Sequence, residues 1–149
     1  MIRNDREYRH AKEQLGNLQA NLDELLDFQR SSERRSEEAP AVMDAVGMQM
    51  EDIRREISEY EDLKEGRMLS FETGSLDSLG ELLTKARIAR GLTQEQLAAE
   101  LEMTQQQIAR YERDGYQKIS LWRLAEIAET LQVDLNVRAR LPTRTALSK

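Results

Sequence analysis

Apolar residues fall at Tyr8, Ala11, Leu15, Leu18, Leu22 and Leu25, in steps that alternate three and four. That spacing lays one stripe along a helix and predicts it over residues 4–33, with Asn4 as its cap and Glu7 closing a capping box. Gly16 is a weak point inside it. The polar run from Ser31 to Glu38, followed by Pro40, should end the helix. Val46, Met50, Ile53, Ile57 and Tyr60 repeat the 4-3-4-3 spacing and predict a second helix over about residues 41–65, with Gly66 just past its end. Two such helices joined by a short polar link should fold back as an antiparallel hairpin. A two-helix hairpin has little core of its own and is expected to need a further surface, from a second copy or another protein.

Residues 67–78 read as a connector with Gly74 and Ser/Thr/Asp turn residues, and Met68–Glu72 has some β character. From Leu79 the helical signals become dense. One helix should cover Leu79–Arg90, with Gly91 after it. Thr93 should cap a short helix Gln94–Leu101, with Gln96 completing a capping box. Glu102 and Met103 link it to a third helix, Thr104–Asp114, with Gln107 three residues past the cap. A fourth should follow Ser120 and run to about Leu131. Leu97, Leu101, Ile108 and Tyr111 supply contacts between the second and third, with Ala98 small where they cross. Leu82, Leu83, Leu121, Leu124, Ile127 and Leu131 should close the core from the first and fourth. The period then changes to two: Val133, Leu135, Val137, Ala139 and Leu141 alternate with polar residues, which predicts a half-buried strand ending at Pro142. A lone strand needs a partner. Met68–Glu72 and the same strand of a second subunit are the two candidates, and pairing between subunits is the favoured one.

Charge divides the chain. Residues 1–65 hold 17 acids and 10 bases, a net of −7, whereas residues 66–149 hold 11 acids and 12 bases, a net of +1. The second half can therefore present a basic face although the whole chain carries −6. There are no cysteines, which excludes disulfides and thiolate metal sites. The first residues lack the apolar run of a secretory signal, and no stretch approaches the roughly 20 apolar residues that span a bilayer, so a soluble cytoplasmic protein is expected. The lone His10 reads as a surface residue on a charged helix, and Met43, Met48 and Met50 as hairpin seam and its fringe. No nucleophile–base set, Gly-rich phosphate loop or metal-ligand spacing appears, so neither enzyme activity, cofactor nor metal is expected.

The run Arg87-Ile88-Ala89-Arg90-Gly91-Leu92-Thr93-Gln94-Glu95-Gln96-Leu97-Ala98 resembles the signature of the Cro/C1-type (XRE) helix-turn-helix family, and the resemblance extends over Leu79–Val133, roughly a third of the chain. It implies a four-to-five-helix domain of lambda-repressor type at 79–132, and with the elements read from the spacing the chain is expected to be mainly α: a helical hairpin at 1–66, a linker at 67–78, that domain, a dimerisation strand at 133–142 and a tail at 143–149. It further implies that the helix Thr104–Asp114 reads the DNA major groove. Glutamine suits adenine and arginine suits guanine as bidentate partners, so Gln105, Gln106 and Arg110 are expected to face base edges. Gln94, Thr104, Arg113, Tyr116 and Lys118 are expected at phosphates. The matching positions in the family make Arg87 and Glu112 a structural ion pair. Two departures stand out: Glu102 and Gln132 occupy positions where many members carry glycine, which prefers φ > 0.

Three functions fit. A strand after the helix-turn-helix unit and an acidic module before it are similar to HigA- and HipB-type antitoxins, which bind DNA and neutralise a toxin protein. A stand-alone repressor whose hairpin sets oligomeric state is the second. An interaction adaptor that no longer binds DNA is the third, and the presence of Gln94, Gln105, Gln106 and Arg110 speaks against it. The first two share the expected partners: double-stranded DNA carrying an inverted repeat, and a second copy of the chain paired through Val133, Leu135, Val137 and Ala139. An antitoxin adds a toxin partner. None involves a membrane.

Overall fold

The computed structural model describes residues 1–31, 38–73, 75–138 and 140. Among them are six α-helices: α1 (Asp5–Ser31), α2 (Ala39–Lys64), α3 (Leu79–Ala89), α4 (Gln94–Glu100), α5 (Gln105–Arg113) and α6 (Leu121–Thr130), with a 3-10 turn at Leu76–Ser78 before α3.

Helix α1 starts where Asn4 offers its side-chain oxygen to the Glu7 amide at 2.9 Å. The returning Glu7 carboxylate accepts from the amide of Arg3 at 2.9 Å, one residue ahead of the cap. Helix α2 begins earlier than its apolar spacing predicts, and Pro40 sits in its first turn rather than acting only as a stop for α1. Proline is at ease there because the first-turn amides have no helical acceptor. Gly66, at φ 68°, ends α2, and the amide of Arg67 donates back to the Asp62 carbonyl at 2.9 Å.

The hairpin is antiparallel. Tyr8 meets Glu61, Asp5 meets Tyr60 and Lys64, and Gln19 meets Arg54, so positions climb on one helix as they fall on the other. Its expected need for an outside surface is met within the chain at one end. Ile57, Tyr60 and Leu63 of α2 form a buried cluster with Ile2 and with Ile88 of α3. Lys85 of α3 reaches Glu59 of α2 at 2.6 Å.

The second core joins α3 to α6. Leu83 and Ala86 pack with Leu97, Ala98 and Leu101, with Ile108, with Tyr116, and with Ile127, Ala128 and Leu131. Full burial of such aliphatic side chains stabilises by about 1.5–3 kcal/mol each. Phe71, in the connector, packs against both clusters and so ties the hairpin to the second core. Helix α6 departs from expectation at its start. Leu121 is 78% exposed beside Trp122 at 85%, and contact with the core begins one turn later, at Leu124.

The strand expected at 133–142 is not found among the described residues, nor is one at Met68–Glu72. The chain turns at Gln132 (φ 53°), where the Val133 amide donates to the Ala128 carbonyl. Val133 and Leu135 then lean on the second core while Val137 is 72% exposed. Alternation therefore reads which side chains face inward over the first residues of this segment. It cannot supply the ladder partner that a strand requires. Ala139, Leu141 and the expected tail at 143–149 lie outside the described residues.

Candidate nucleic-acid interface

Helices α4 and α5 begin with the same local device. The Thr93 hydroxyl accepts the Gln96 amide at 3.1 Å while the Gln96 side chain accepts the Thr93 amide at 2.8 Å. The Thr104 hydroxyl accepts the Gln107 amide at 3.3 Å, and the Gln107 side chain accepts the Thr104 amide at 2.9 Å. Each box satisfies amides that a helix start leaves without acceptors. Between the helices, Glu102 adopts φ 54° and the Met103 amide donates to the Ala98 carbonyl at 2.8 Å. A side chain in that left-handed conformation costs on the order of 1 kcal/mol relative to glycine. Leu97, Ala98 and Leu101 before it and Ile108 after it, all buried in the second core, hold the turn in place.

Helix α5 has two faces. Ile108 and Glu112 are buried, and Tyr111 is half-buried. Gln105, Gln106 and Arg110 are exposed, with Thr104 at the N-terminal end and Arg113 at the C-terminal end, also exposed. The Arg110 guanidinium lies 5.9 Å from the Tyr111 ring centroid, a cation–π approach that limits its wandering. Glu112 is the one carboxylate within α5, and it points inward, so the outer face presents amides and guanidinium groups.

Beneath α5 lies a buried polar network. Arg87 Nε donates to Glu112 Oε1 at 2.5 Å and its Nη2 to Glu112 Oε2 at 2.8 Å. Arg87 also donates to the carbonyls of Leu92 and Arg3, each at 2.7 Å. Gln94 Nε2 donates to Glu112 Oε2 at 2.8 Å, and Gln94 Oε1 accepts from Gln105 Nε2 at 3.3 Å. The first residue of α5 is thereby connected through Gln94 to the same carboxylate that Arg87 holds.

The expected phosphate residues separate on this geometry. Thr104, Arg113 and Lys118 are exposed, Lys118 on the loop between α5 and α6. Gln94 is buried, with both ends of its amide engaged in the network. Tyr116 needs correction: it is 3% exposed and belongs to the second core. Gly115 (φ 62°) and Tyr116 (φ 58°) both take left-handed backbone, which turns the chain back under α3 and buries the ring. Burial pushes its phenol above the usual range, and the Glu112 carboxylate adds to that. The bond from Arg87 to the Arg3 carbonyl was not anticipated. It joins positions 84 apart, and no local pattern announces it.

Residues 83–137 match the family model described as helix-turn-helix, a stretch that runs from α3 through α6 and into the following segment. The match supports a DNA-binding role in transcriptional regulation for this part of the chain, and it leaves the hairpin outside. No curated protein and no solved structure matches the chain. No described helix is long and apolar enough to cross a membrane.

Proposed function

We propose that the protein is a sequence-specific transcriptional repressor that inserts α5 into the major groove of its operator. The observation that carries this reading is the division of α5 into an inner face, where Glu112 is neutralised by Arg87, and an outer face of Gln105, Gln106 and Arg110. A polyanion approaching that face meets donors for base edges and no carboxylate from the helix itself. Thr104, Arg113 and Lys118, all exposed, bind phosphates beside it in this reading. A homodimer would present two such helices and select an inverted repeat with half-sites about one turn, roughly 34 Å, apart. Selection of bound duplexes from a random pool, followed by binding titrations at several salt concentrations, tests the proposal. Enrichment of one palindromic sequence with steeply salt-dependent affinity is expected. Equal recovery of all sequences would refute sequence-specific repression.

A second function is favoured by the half of the hairpin away from the second core. Phe28 is 60% exposed, Val42 49% and Met48 69%, on a module whose sequence is strongly acidic. Such a surface suits a basic protein partner and fits the antitoxin reading, in which the same chain represses its own operon and captures a toxin. The alternative is a stand-alone repressor whose hairpin sets oligomeric state. Light scattering of the full chain, alone and mixed with the product of any small reading frame beside its gene, separates them. A stable heteromeric complex supports the antitoxin. Hairpin-dependent self-association without one supports the stand-alone repressor.

A further inference from the structure

The acidic total of the hairpin hides a basic start. Between residues 3 and 12 stand Arg3, Arg6, Arg9, His10 and Lys12 against Asp5 and Glu7. Both carboxylates are occupied: Asp5 accepts from Lys64 at 2.7 Å and Tyr60 at 2.9 Å, and Glu7 accepts from the amide of Arg3. Arg6, Arg9 and His10 lie on the opposite side of α1 from the seam with α2, and all three are exposed. Among the described residues neither Arg6 nor Arg9 pairs with a carboxylate. Arg9 Nε donates only to the Asp5 carbonyl, at 3.3 Å. Cations in the first turns of a helix sit at the unfavourable end of its dipole, so helix stability does not explain them.

Their position does. Arg6, Arg9 and His10 line one wall of a cleft of about 1120 Å³ whose other wall includes Gln94, Gln105 and Ala109. The start of α1 therefore stands across an open cleft from the N-terminal end of α5. The Arg87 bond to the Arg3 carbonyl, together with the Ile2–Ile88 packing, fixes that placement. Asp5, Glu7 and Glu56, each engaged by a donor, and Glu13 and Glu95 also line the cleft, so any anion would be held by the Arg6–Arg9–His10 row and not by the cleft as a whole.

We propose that Arg6, Arg9 and His10 form a second phosphate-binding row that grips the DNA backbone beside the groove occupied by α5. The inference rests on the DNA-binding reading above. It makes the start of the hairpin part of the DNA interface. Each phosphate neutralised adds about 0.9 to the slope of log affinity against log salt, whatever the sequence.

The test compares three full-length proteins on a selected duplex and on an unrelated duplex of equal length: wild type, Arg6→Ala/Arg9→Ala and Arg54→Ala/Arg55→Ala. The last removes the same charge from an exposed part of α2 that does not line the cleft. For Arg6→Ala/Arg9→Ala, affinity should fall about tenfold or more on both duplexes at 0.1 M salt, and the salt slope should drop by about 1–2. Circular dichroism and Tm should stay unchanged. The α2 pair should lose much less. An unchanged slope in Arg6→Ala/Arg9→Ala, or an equal loss in both double variants, would overturn the second row while leaving α5 as the reader. Absence of salt-dependent binding by wild type, with no effect of Arg110→Ala, would overturn the DNA-binding reading together with this one.

Discussion

The guanidinium of Arg87 and the carboxylate of Glu112 meet in a two-pronged ion pair, at 2.5 and 2.8 Å, with both side chains almost wholly shielded from water. Two buried charges cost several kcal/mol each to desolvate, and only good geometry with further hydrogen bonds offsets this. Here the remaining donors of Arg87 go to the Leu92 and Arg3 carbonyls, and Glu112 receives Gln94 as well. The pair thus joins α3 to α5 and reaches the chain ahead of α1.

Removing one partner should be far worse than removing both. Arg87→Ala leaves Glu112 buried and uncompensated, and should destabilise by about 3–5 kcal/mol. Arg87→Met/Glu112→Leu keeps the volume without the charges and should recover most of that loss. Urea denaturation of the two variants checks it. A double variant as unstable as Arg87→Ala would show that the bonds to the backbone carbonyls matter more than the charge pair.

Gly80 is fixed by a backbone approach. A Cβ built there would lie 2.1 Å from the Gly115 carbonyl oxygen and 2.5 Å from its carbon. Neither neighbour is a side chain that could swing away. Gly80→Ala should therefore push α3 off the turn that carries Tyr116, costing about 1–3 kcal/mol as overpacking does. A lowered Tm is expected, and near-ultraviolet circular dichroism should change through Tyr116. An unaltered Tm would mean that the turn yields readily.

How much of this was legible in the sequence depends on whether a feature is local. Thr93, Thr104 and Ser120 mark helix starts by chemistry that spans three residues, and α4, α5 and α6 begin immediately after them. The left-handed backbone at Glu102 and Gln132 was readable only through the resemblance, since the family's common glycine at both positions marks a turn that takes φ > 0. Tyr116 was misplaced because its surroundings are polar in sequence, and only the positive φ of Gly115 and of Tyr116 itself turns the ring inward. Leu121 misled in the opposite sense, since an apolar residue at a helix start says nothing about whether the neighbouring elements extend far enough to cover it. The packing of Ile57, Tyr60 and Leu63 on Ile88 depends on two helices meeting across the connector, which hydrophobic periodicity does not specify.

The base of the hairpin should respond to pH at both extremes. Hydrogen bonds from Lys64 and then Tyr60 hold the Asp5 carboxyl below its ordinary value of 3.8. Its contribution is therefore present above that value and lost as pH falls through the lower folded one. Burial, and then the bond to Asp5, push the Tyr60 phenol above its ordinary 10.0. The Tyr8 phenol rises as well, through its bond to Glu61. Burial alone would lower Lys85, but Glu59 and Glu81 outweigh it and raise the ammonium. The contributions of these three groups are complete below their unfolded values and fade as pH rises through the folded ones. A plateau in hairpin stability between about pH 4 and 10 is expected, with phenolate absorbance from Tyr8, Tyr60 and Tyr116 appearing late in an alkaline titration. Tyr60→Phe should flatten the alkaline limb, and Asp5→Asn the acid limb. Tyrosines that all ionise together near pH 10 would contradict the Tyr60–Asp5 and Tyr8–Glu61 bonds.

Arg110 and the Gln94–Glu112 link allow the reading of DNA to be separated from the positioning of the reader. Arg110 is exposed on the outer face of α5, and none of its bonds supports the core. Arg110→Ala should leave stability within about 0.5 kcal/mol of wild type, cost about 1–3 kcal/mol on the selected operator and relax preference at one base pair. Lys118→Ala should weaken all duplexes alike and lower the salt slope by about 1. Gln94→Ala should behave like neither. It removes one donor to a buried carboxylate and frees Gln105 at the start of α5, so both stability and specificity should fall. Measured together, Tm, affinity on matched and unmatched duplexes, and salt slope assign each residue to its role. If Gln94→Ala kept wild-type Tm and lost affinity equally on every duplex, its side chain would turn out from the network to a phosphate when DNA binds, and the buried link to Gln105 would belong to the free protein alone.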